Sequence, residues 1–364
     1  MSQKRHPGSE TRFLTLPEPV TLESGAILPQ VTVAYRTWGR LDPAGDNAVL
    51  VCHALTGSAD VDQWWPGLMG PGKALDPARD YVVCSNVLGG CYGSTGPTSL
   101  SPLTGKRYGA GFPAVTVRDL VHVQAALLDQ LGVDQLALVL GGSLGGMQAL
   151  EWAALYPERV QRIAALSVSA RQSPWCIGQS EAQRHALYAD TRWKGGDYDP
   201  AEPPAHGLAA ARMAAMLSYR HWDEFAVRFG REQATDGCFQ VESWLKHHGE
   251  KFVARFDAAS YVALTRIMDS HDLGRGRGGY ARALAALRMP LLVVGSTSDV
   301  LYLPDEQREL AWHVSGAELA WLDSPHGHDA FLIETPTLDA LIRDFRRRTP
   351  LAATGERSLQ ACRA

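Results

Sequence analysis

The sequence predicts an α/β fold in which a mostly parallel central sheet carries helices on both faces and a helical insertion forms a lid. Three observations predict it. Apolar runs of strand length alternate with segments of helical periodicity. One of those runs ends in Gly-x-Ser-x-Gly at the mouth of a helix, and residues 174–285 carry helical patterns without a comparable strand run. With 364 residues, 45% of them hydrophobic, the chain can bury one large core and still support an insertion.

Taken in order, residues 31–39 alternate like an early, partly exposed strand. Residues 48–55 form a continuous apolar strand that runs into a polar loop, and residues 81–85 form another, continued by the glycine-rich stretch 89–97. From Val115 a helical pattern places Leu120, Val123, Ala126 and Leu127 on one face. The apolar run 136–140 leads into Gly141-Gly142-Ser143-Leu144-Gly145 and a helix from Ala149, and residues 162–168 supply the next strand. Helical patterns then occupy 180–189, 207–219, 242–252 and 258–270. The sheet resumes at 288–295, a short strand follows at 318–322, and a helix-like run starts at Ala330. Strands that read as unbroken apolar runs are covered on both faces, which is the signature of a parallel sheet. The expected organisation is a core made of residues 1–173 and 286–349, a lid at 174–285, and a disordered tail at 350–364.

A net charge of −4 gives no basic excess for nucleic acid and no acidic tail. No apolar run approaches the roughly 18 residues of a membrane span, and the first residues lack a signal-peptide core. Six cysteines follow no disulfide framework, and Cys52 and Cys84 fall inside buried-strand patterns. A reducing cytoplasm is the expected location.

The chemistry centres on Ser143. Gly141 and Gly145 leave room in a sharp strand-to-helix turn, which lifts the hydroxyl out of the sheet and aims the Leu144 N–H at a developing oxyanion. The other reading of this motif is a plain junction with a serine N-cap. A serine needs a base and an orienting acid, and in folds built on such an elbow the acid and then the histidine follow in the chain. Asp299 stands at the tip of the 288–295 strand, and His328 lies on the loop after the 318–322 strand. Of twelve histidines only His326 and His328 share that context, and His328, beside the next helix, is the stronger base. His326-Gly327-His328 could instead be a surface loop or half a metal site, but no His, Cys or Glu cluster at ligand spacing supports a metal. The loop His53-Ala54-Leu55-Thr56-Gly57 follows an early strand, so the Leu55 N–H is the expected second oxyanion donor. Cys91 in its glycine-rich loop is a weak alternative nucleophile. Gly274-Arg275-Gly276-Arg277-Gly278-Gly279 is literally G-x-G-x-x-G, but no strand precedes it, so it reads as a lid-to-core loop whose arginines could touch a CoA phosphate.

Several longer blocks carry a resemblance. They are His53–Gly57 above, Trp64-Trp65 through Gly70-Pro71-Gly72-Lys73, residues 88–97, and the elbow through Gln148. Residues 207–212 with Ser218-Tyr219-Arg220, residues 269–278 and residues 324–332 complete the set. From about Thr11 to Phe345 the chain resembles the homoserine O-acetyltransferases of the α/β-hydrolase superfamily. The stretch between Gly57 and Trp64 is shorter than in many such proteins, which bears on the tunnel mouth. The resemblance implies an α/β-hydrolase fold, Ser143 as acyl nucleophile, His328 as base and Asp299 as its partner. It further implies that Arg212 and Asp329 hold the amino-acid substrate, as a guanidinium can grip a carboxylate and a carboxylate can pair with an ammonium. Without the resemblance, Arg212 reads as a helix-face salt bridge and Asp329 as a helix N-terminal carboxylate.

The implied reaction is ping-pong transfer of an acetyl group from acetyl-CoA, a co-substrate, to L-homoserine in methionine biosynthesis, with no metal and no tightly bound cofactor. A succinyl donor would want a cation for its second carboxylate. Residues 300–303 offer none, although Arg220 and Arg228 could reach in. The alternatives are a homoserine or serine O-succinyltransferase, an esterase or thioesterase of the same fold, and a non-catalytic scaffold. A homodimer joined through the helical lid is also expected.

Overall fold

The computed structural model describes Gly8, residues 10–235 and residues 237–351. The tail expected at 350–364 therefore lies outside the described residues from position 352 onward. The described residues form ten strands: β1 (Arg12–Thr15), β2 (Val20–Thr21), β3 (Ile27–Leu28), β4 (Thr32–Trp38), β5 (Ala48–Cys52), β6 (Tyr81–Ser85), β7 (Leu138–Gly142), β8 (Ile163–Leu166), β9 (Leu291–Ser296) and β10 (Glu318–Leu322). Eight of them form one sheet in the order β1-β4-β6-β5-β7-β8-β9-β10, and β2 and β3 pair separately. The two ladders that involve β4 are antiparallel, and the other five of the large sheet are parallel.

The apolar runs are continuous because both faces are covered. Along β5, Ala48, Leu50 and Cys52 enter one core, and Val49 and Val51 enter the other. The same alternation divides β7, where Val139 faces the first core while Leu138 and Leu140 face the second. Helices α2 (Val117–Gln130) and α3 (Leu144–Leu155) close the first face. On the second lie α1 (Val61–Trp64), α11 (Ala330–Ile333) and α12 (Thr335–Arg348), which contributes Leu338, Ile342 and Phe345. The start of α2 is set by a capping box: Thr116 accepts the Asp119 N–H, and the Asp119 carboxylate accepts the Thr116 N–H at 2.8 Å.

Between β8 and β9 the described residues form six α-helices: α4 (Pro174–Tyr188), α5 (Ala205–Tyr219), α6 (Trp222–Phe229), α7 (Gln240–Arg255), α8 (Ala258–Asp269) and α9 (Tyr280–Ala285). Helix α5 packs against both α4 and α7. The sequence patterns anticipate α5, α7 and α8 to within three residues and α4 without its first six, but pass over α6, which has two turns and leaves Trp222 and Val227 exposed. They also pass over β1, an edge strand with a largely exposed pattern, and α10 (Pro304–His313). The glycine-rich 274–279 segment is a loop whose arginines are already occupied. Arg275 forks onto Glu23 at 2.7 and 2.8 Å, and Arg277 meets the buried Glu151 at 2.7 Å. Both guanidinium groups thus tie the loop to the core by ion pairs. Among the described residues no helix is long and apolar enough to cross a membrane, and no disulfide joins the described cysteines.

The closest crossing in the sheet is that of α3 over the end of β5. A Cβ on Gly145 would overlap the carbonyl oxygen of Cys52 and stand 2.9 Å from its carbon, both of them backbone atoms that cannot swing aside. Gly145→Ala should therefore cost about 1–3 kcal/mol of stability, as overpacking typically does. In urea unfolding the midpoint should fall with an unchanged slope; an unaltered midpoint would mean that the crossing is looser than described.

Candidate active site

Ser143 links β7 to α3 with φ 57° and ψ −124°, a conformation that L-residues rarely adopt. Its N–H donates to Leu166 O at 3.0 Å, and its carbonyl accepts the Met147 N–H at 3.1 Å, so neighbouring β8 and the first turn of α3 hold the bend. Leu144 is the first residue of α3, and its N–H therefore has no acceptor one turn back within the helix.

Asp299 sits in the turn after β9, fully buried. Its Oδ1 accepts the N–H groups of Leu301 and Tyr302 at 2.9 and 3.0 Å, and its Oδ2 faces His328 Nδ1 at 2.9 Å. The carboxylate thus places the imidazole proton on Nδ1 and leaves the Nε2 lone pair available. The rings of Tyr302, Tyr219 and Phe331 stand 5.3, 5.8 and 5.7 Å from the His328 ring. Burial pushes the His328 pKa down, but the Asp299 charge and hydrogen bond outweigh it, and the net position is above the ordinary value.

A cavity of about 220 Å³ is lined by Ser143, His328, Leu55, Arg212 and Asp329 together with Trp64, Tyr219 and Arg255. Five of the seven residues singled out in the sequence meet there. Asp299 stands behind His328, and Leu144 follows Ser143 directly. Arg212 projects from α5 across the rings of Phe252 and Tyr219, with its guanidinium carbon 5.1 and 5.4 Å from their centres. Its Nη1 is buried and has no hydrogen-bond acceptor among the described residues. Asp329 lies 3.2 Å from Arg220 Nε. Burial raises the Asp329 pKa, and the nearby charges of Arg220, His328 and Arg212 only partly counter it.

The cations are distributed differently from the sequence expectation. Arg220 is engaged with both oxygens of Glu224 at 3.1 Å, and Arg228 lies 3.6 Å from the same carboxylate. Neither lines the cavity, whereas Arg255 does. From the end of α7, Arg255 donates to Thr56 O at 2.9 Å and to the Tyr92 hydroxyl oxygen at 2.7 Å. No spacing rule marks it, because its partners lie far earlier in the chain. His326 also has a separate occupation, 3.1 Å from Glu224.

The Leu55 loop is a turn closed by Gly57 N–H to Ala54 O at 2.9 Å. His53 braces it. Its Nε2 accepts the Val87 N–H at 3.2 Å, so Nδ1 carries the proton and donates to Ala54 O at 2.8 Å. Burial pushes its pKa down to about 4, which keeps the ring neutral. Among the described residues no group of three or more His, Cys, Asp or Glu is disposed to hold a metal ion.

Residues 47–335 match the α/β hydrolase fold family. A homoserine O-acetyltransferase of Trichormus variabilis is 57% identical over 343 residues, covering 94% of this chain and 95% of that protein. The chain belongs to the homoserine O-acetyltransferase family. Solved structures place this family member beside two kinds of protein. The homoserine O-acetyltransferase of Bacillus anthracis superposes with a TM-score of 0.87 at 24% identity, over 94% of this chain and 99% of that one, a likeness of fold. Esterase E22 superposes with a TM-score of 0.85 at 27% identity, over 93% and 99%.

A hydroxyl that shares a cavity with a carboxylate-oriented imidazole can be deprotonated and can carry an acyl group. The imidazole must be neutral to take the proton, so the rate should rise with pH through the raised His328 pKa. The acid limb of kcat/KM is therefore expected above about pH 6.5, the unperturbed histidine value. Asp299→Asn removes the charge that outweighs burial, so the limb should move to lower pH while kcat falls by about 10⁴-fold, the loss that follows mis-set tautomers in such triads. A pH–rate profile of both proteins checks this. A limb that stays in place would separate Asp299 from the base.

Proposed function

We propose that the chain catalyses ping-pong transfer of an acetyl group from acetyl-CoA to the hydroxyl of L-homoserine, the activity its 57% identical relative is named for. One observation carries the reading: the buried Nη1 of Arg212, without an acceptor among the described residues, shares a small cavity with Asp329, Ser143 and His328. An unsatisfied guanidinium edge is costly unless a ligand anion completes it. Together with an opposing carboxylate, it suits a zwitterionic amino acid, whose carboxylate would meet Arg212 and whose ammonium would meet Asp329.

In the first half-reaction His328 Nε2 takes the Ser143 proton as Oγ attacks the thioester carbon. The Leu55 and Leu144 N–H groups receive the oxyanion, and the collapsing adduct breaks the C–S bond as the imidazolium returns the proton to the CoA thiolate. In the second half His328 deprotonates the homoserine hydroxyl, which attacks the acyl-serine. The C–Oγ bond breaks and Ser143 regains its proton. Asp299 keeps the imidazole in one tautomer and steadies its cation. Water is the competing acceptor, and the apolar walls of Trp64, Tyr219 and Phe331 favour transfer by limiting it. We assign residues 174–285 to a lid over this cavity, between the core segments 1–173 and 286–349, and the protein to the cytoplasm.

The structural likeness to an esterase makes the acceptor the deciding variable. Homoserine added to protein and acetyl-CoA should raise free-thiol release well above the rate without acceptor, and Ser143→Ala should form no acetyl adduct by intact mass. Thiol release that ignores homoserine would replace transfer by hydrolysis; an adduct on the alanine variant would remove Ser143 from its role.

We also propose a homodimer through the lid. Leu217 on α5 and Trp222 and Val227 on α6 are 53%, 69% and 90% exposed and lie close together in the chain, an apolar surface that a second copy would cover. Light scattering should give twice the 39.6 kDa chain mass, and a monomeric mass would refute the dimer.

A further inference from the structure

Two glutamines lie where the first hydrophobic core should be dry. Gln148 is 0% exposed and Gln124 is 2% exposed, among Leu120, Leu127 and Met147 on the α2–α3 face of the sheet. A carboxamide buried without partners loses its hydration with nothing in return, so this pair needs somewhere to place every polar atom.

The hydrogen bonds show where those atoms go, and one donor-only group orients the whole chain. The Trp152 indole can only donate, and its Nε1 lies 2.8 Å from Gln124 Oε1. The Gln124 amino group must then point the other way, and it donates to Gln148 Oε1 at 2.7 Å. That in turn commits the Gln148 amino group to acceptors, and it meets two: Leu144 O at 3.0 Å and His53 O at 3.4 Å. Gln124 also contacts the Cys52 thiol at 3.9 Å. The chain of amides therefore ends on two backbone carbonyls from separate parts of the fold. One belongs to the first residue of α3. The other lies two residues before Leu55.

Those two backbone segments carry the N–H groups assigned above to the oxyanion, and this inference rests on that assignment. We propose that Gln148, backed by Gln124, is a positioning residue that sets the separation of the Leu55 and Leu144 N–H groups. Its amino group bridges the elbow helix to the loop after β5 from behind, while His53 and Arg255 hold the same loop by Ala54 O, Val87 N and Thr56 O. The side chain touches no substrate. It acts through the peptide groups, and its contribution appears only when the reacting carbonyl becomes tetrahedral.

The test uses a trifluoromethyl ketone that forms a hemiketal with Ser143, the hemiketal ionisation being followed by fluorine NMR as pH is varied. The wild-type hemiketal should ionise well below the same group in water. In Gln148→Met, which keeps the length and removes the bridge, ionisation should move up by about one pH unit or more. Its kcat should fall by about 10- to 100-fold, the scale of loss when an oxyanion donor is displaced rather than deleted, with the homoserine KM held within about twofold. Gln124→Met, which cuts the chain one link further back, should shift the same quantities less and provides the answer should Gln148→Met fail to fold. Variants that melt earlier but ionise like the wild type would reduce both glutamines to packing and overturn the proposal. A wild-type hemiketal that ionises as in water would instead overturn the oxyanion assignment itself, and the proposal with it.

Discussion

The N-terminus of α3 crosses the end of β5 with no side chain between the two backbones, and the rest of the site depends on that contact. Gly145 rests against the Cys52 carbonyl, and Gly141 is close enough to Gly145 that a Cβ there would stand 2.5 Å from its backbone. Ser143 can take its left-handed conformation only because β8, through Leu166, and the α3 turn, through Met147, hold the bend from both sides. The same crossing brings the loop after β5 beside the elbow. Leu55, from that loop, and Ser143, at the elbow, thereby line one cavity although they lie in distant parts of the chain.

Around this contact the charges are arranged by what each has left to bond. Asp299 gives one oxygen to two backbone N–H groups and the other to His328, so it is fixed before any substrate arrives. Arg220 and Arg228 are drawn to Glu224, and Arg255 is satisfied by Thr56 and Tyr92. Arg212 lines the cavity with a buried Nη1 that has no hydrogen-bond acceptor among the described residues. The other three guanidinium groups are thus already paired with groups of the protein itself.

Much of the fold was legible in the residues. The unbroken apolar runs at 48–52, 81–85, 138–142 and 291–296 required cover on both faces, and each is an inner strand of the large sheet. The edge strand β1 and the two-turn α6 left no comparable signal, because exposed or short elements impose little pattern on their residues. At the site, Ser143, Asp299 and His328 could be found one at a time from their places after strands. Gln148 had a fainter mark, the one carboxamide on a helix whose only other polar side chain is Glu151. His53 and Arg255 had none, since their hydrogen bonds run to backbone atoms that no side-chain pattern encodes.

By itself, the sequence determined the parallel sheet, the strand–turn–helix at Ser143 and the places of Asp299 and His328 after later strands. These follow from local periodicity and from glycines required by a tight turn. Only the tertiary structure decided which cations face the cavity and which are spent elsewhere. It also decided the tautomer of His53 and the direction of the Gln124–Gln148 amides. The physical reason is that long polar side chains choose partners by proximity in space, and burial then makes the choice binding, because an unpaired polar atom in the core has no water to fall back on.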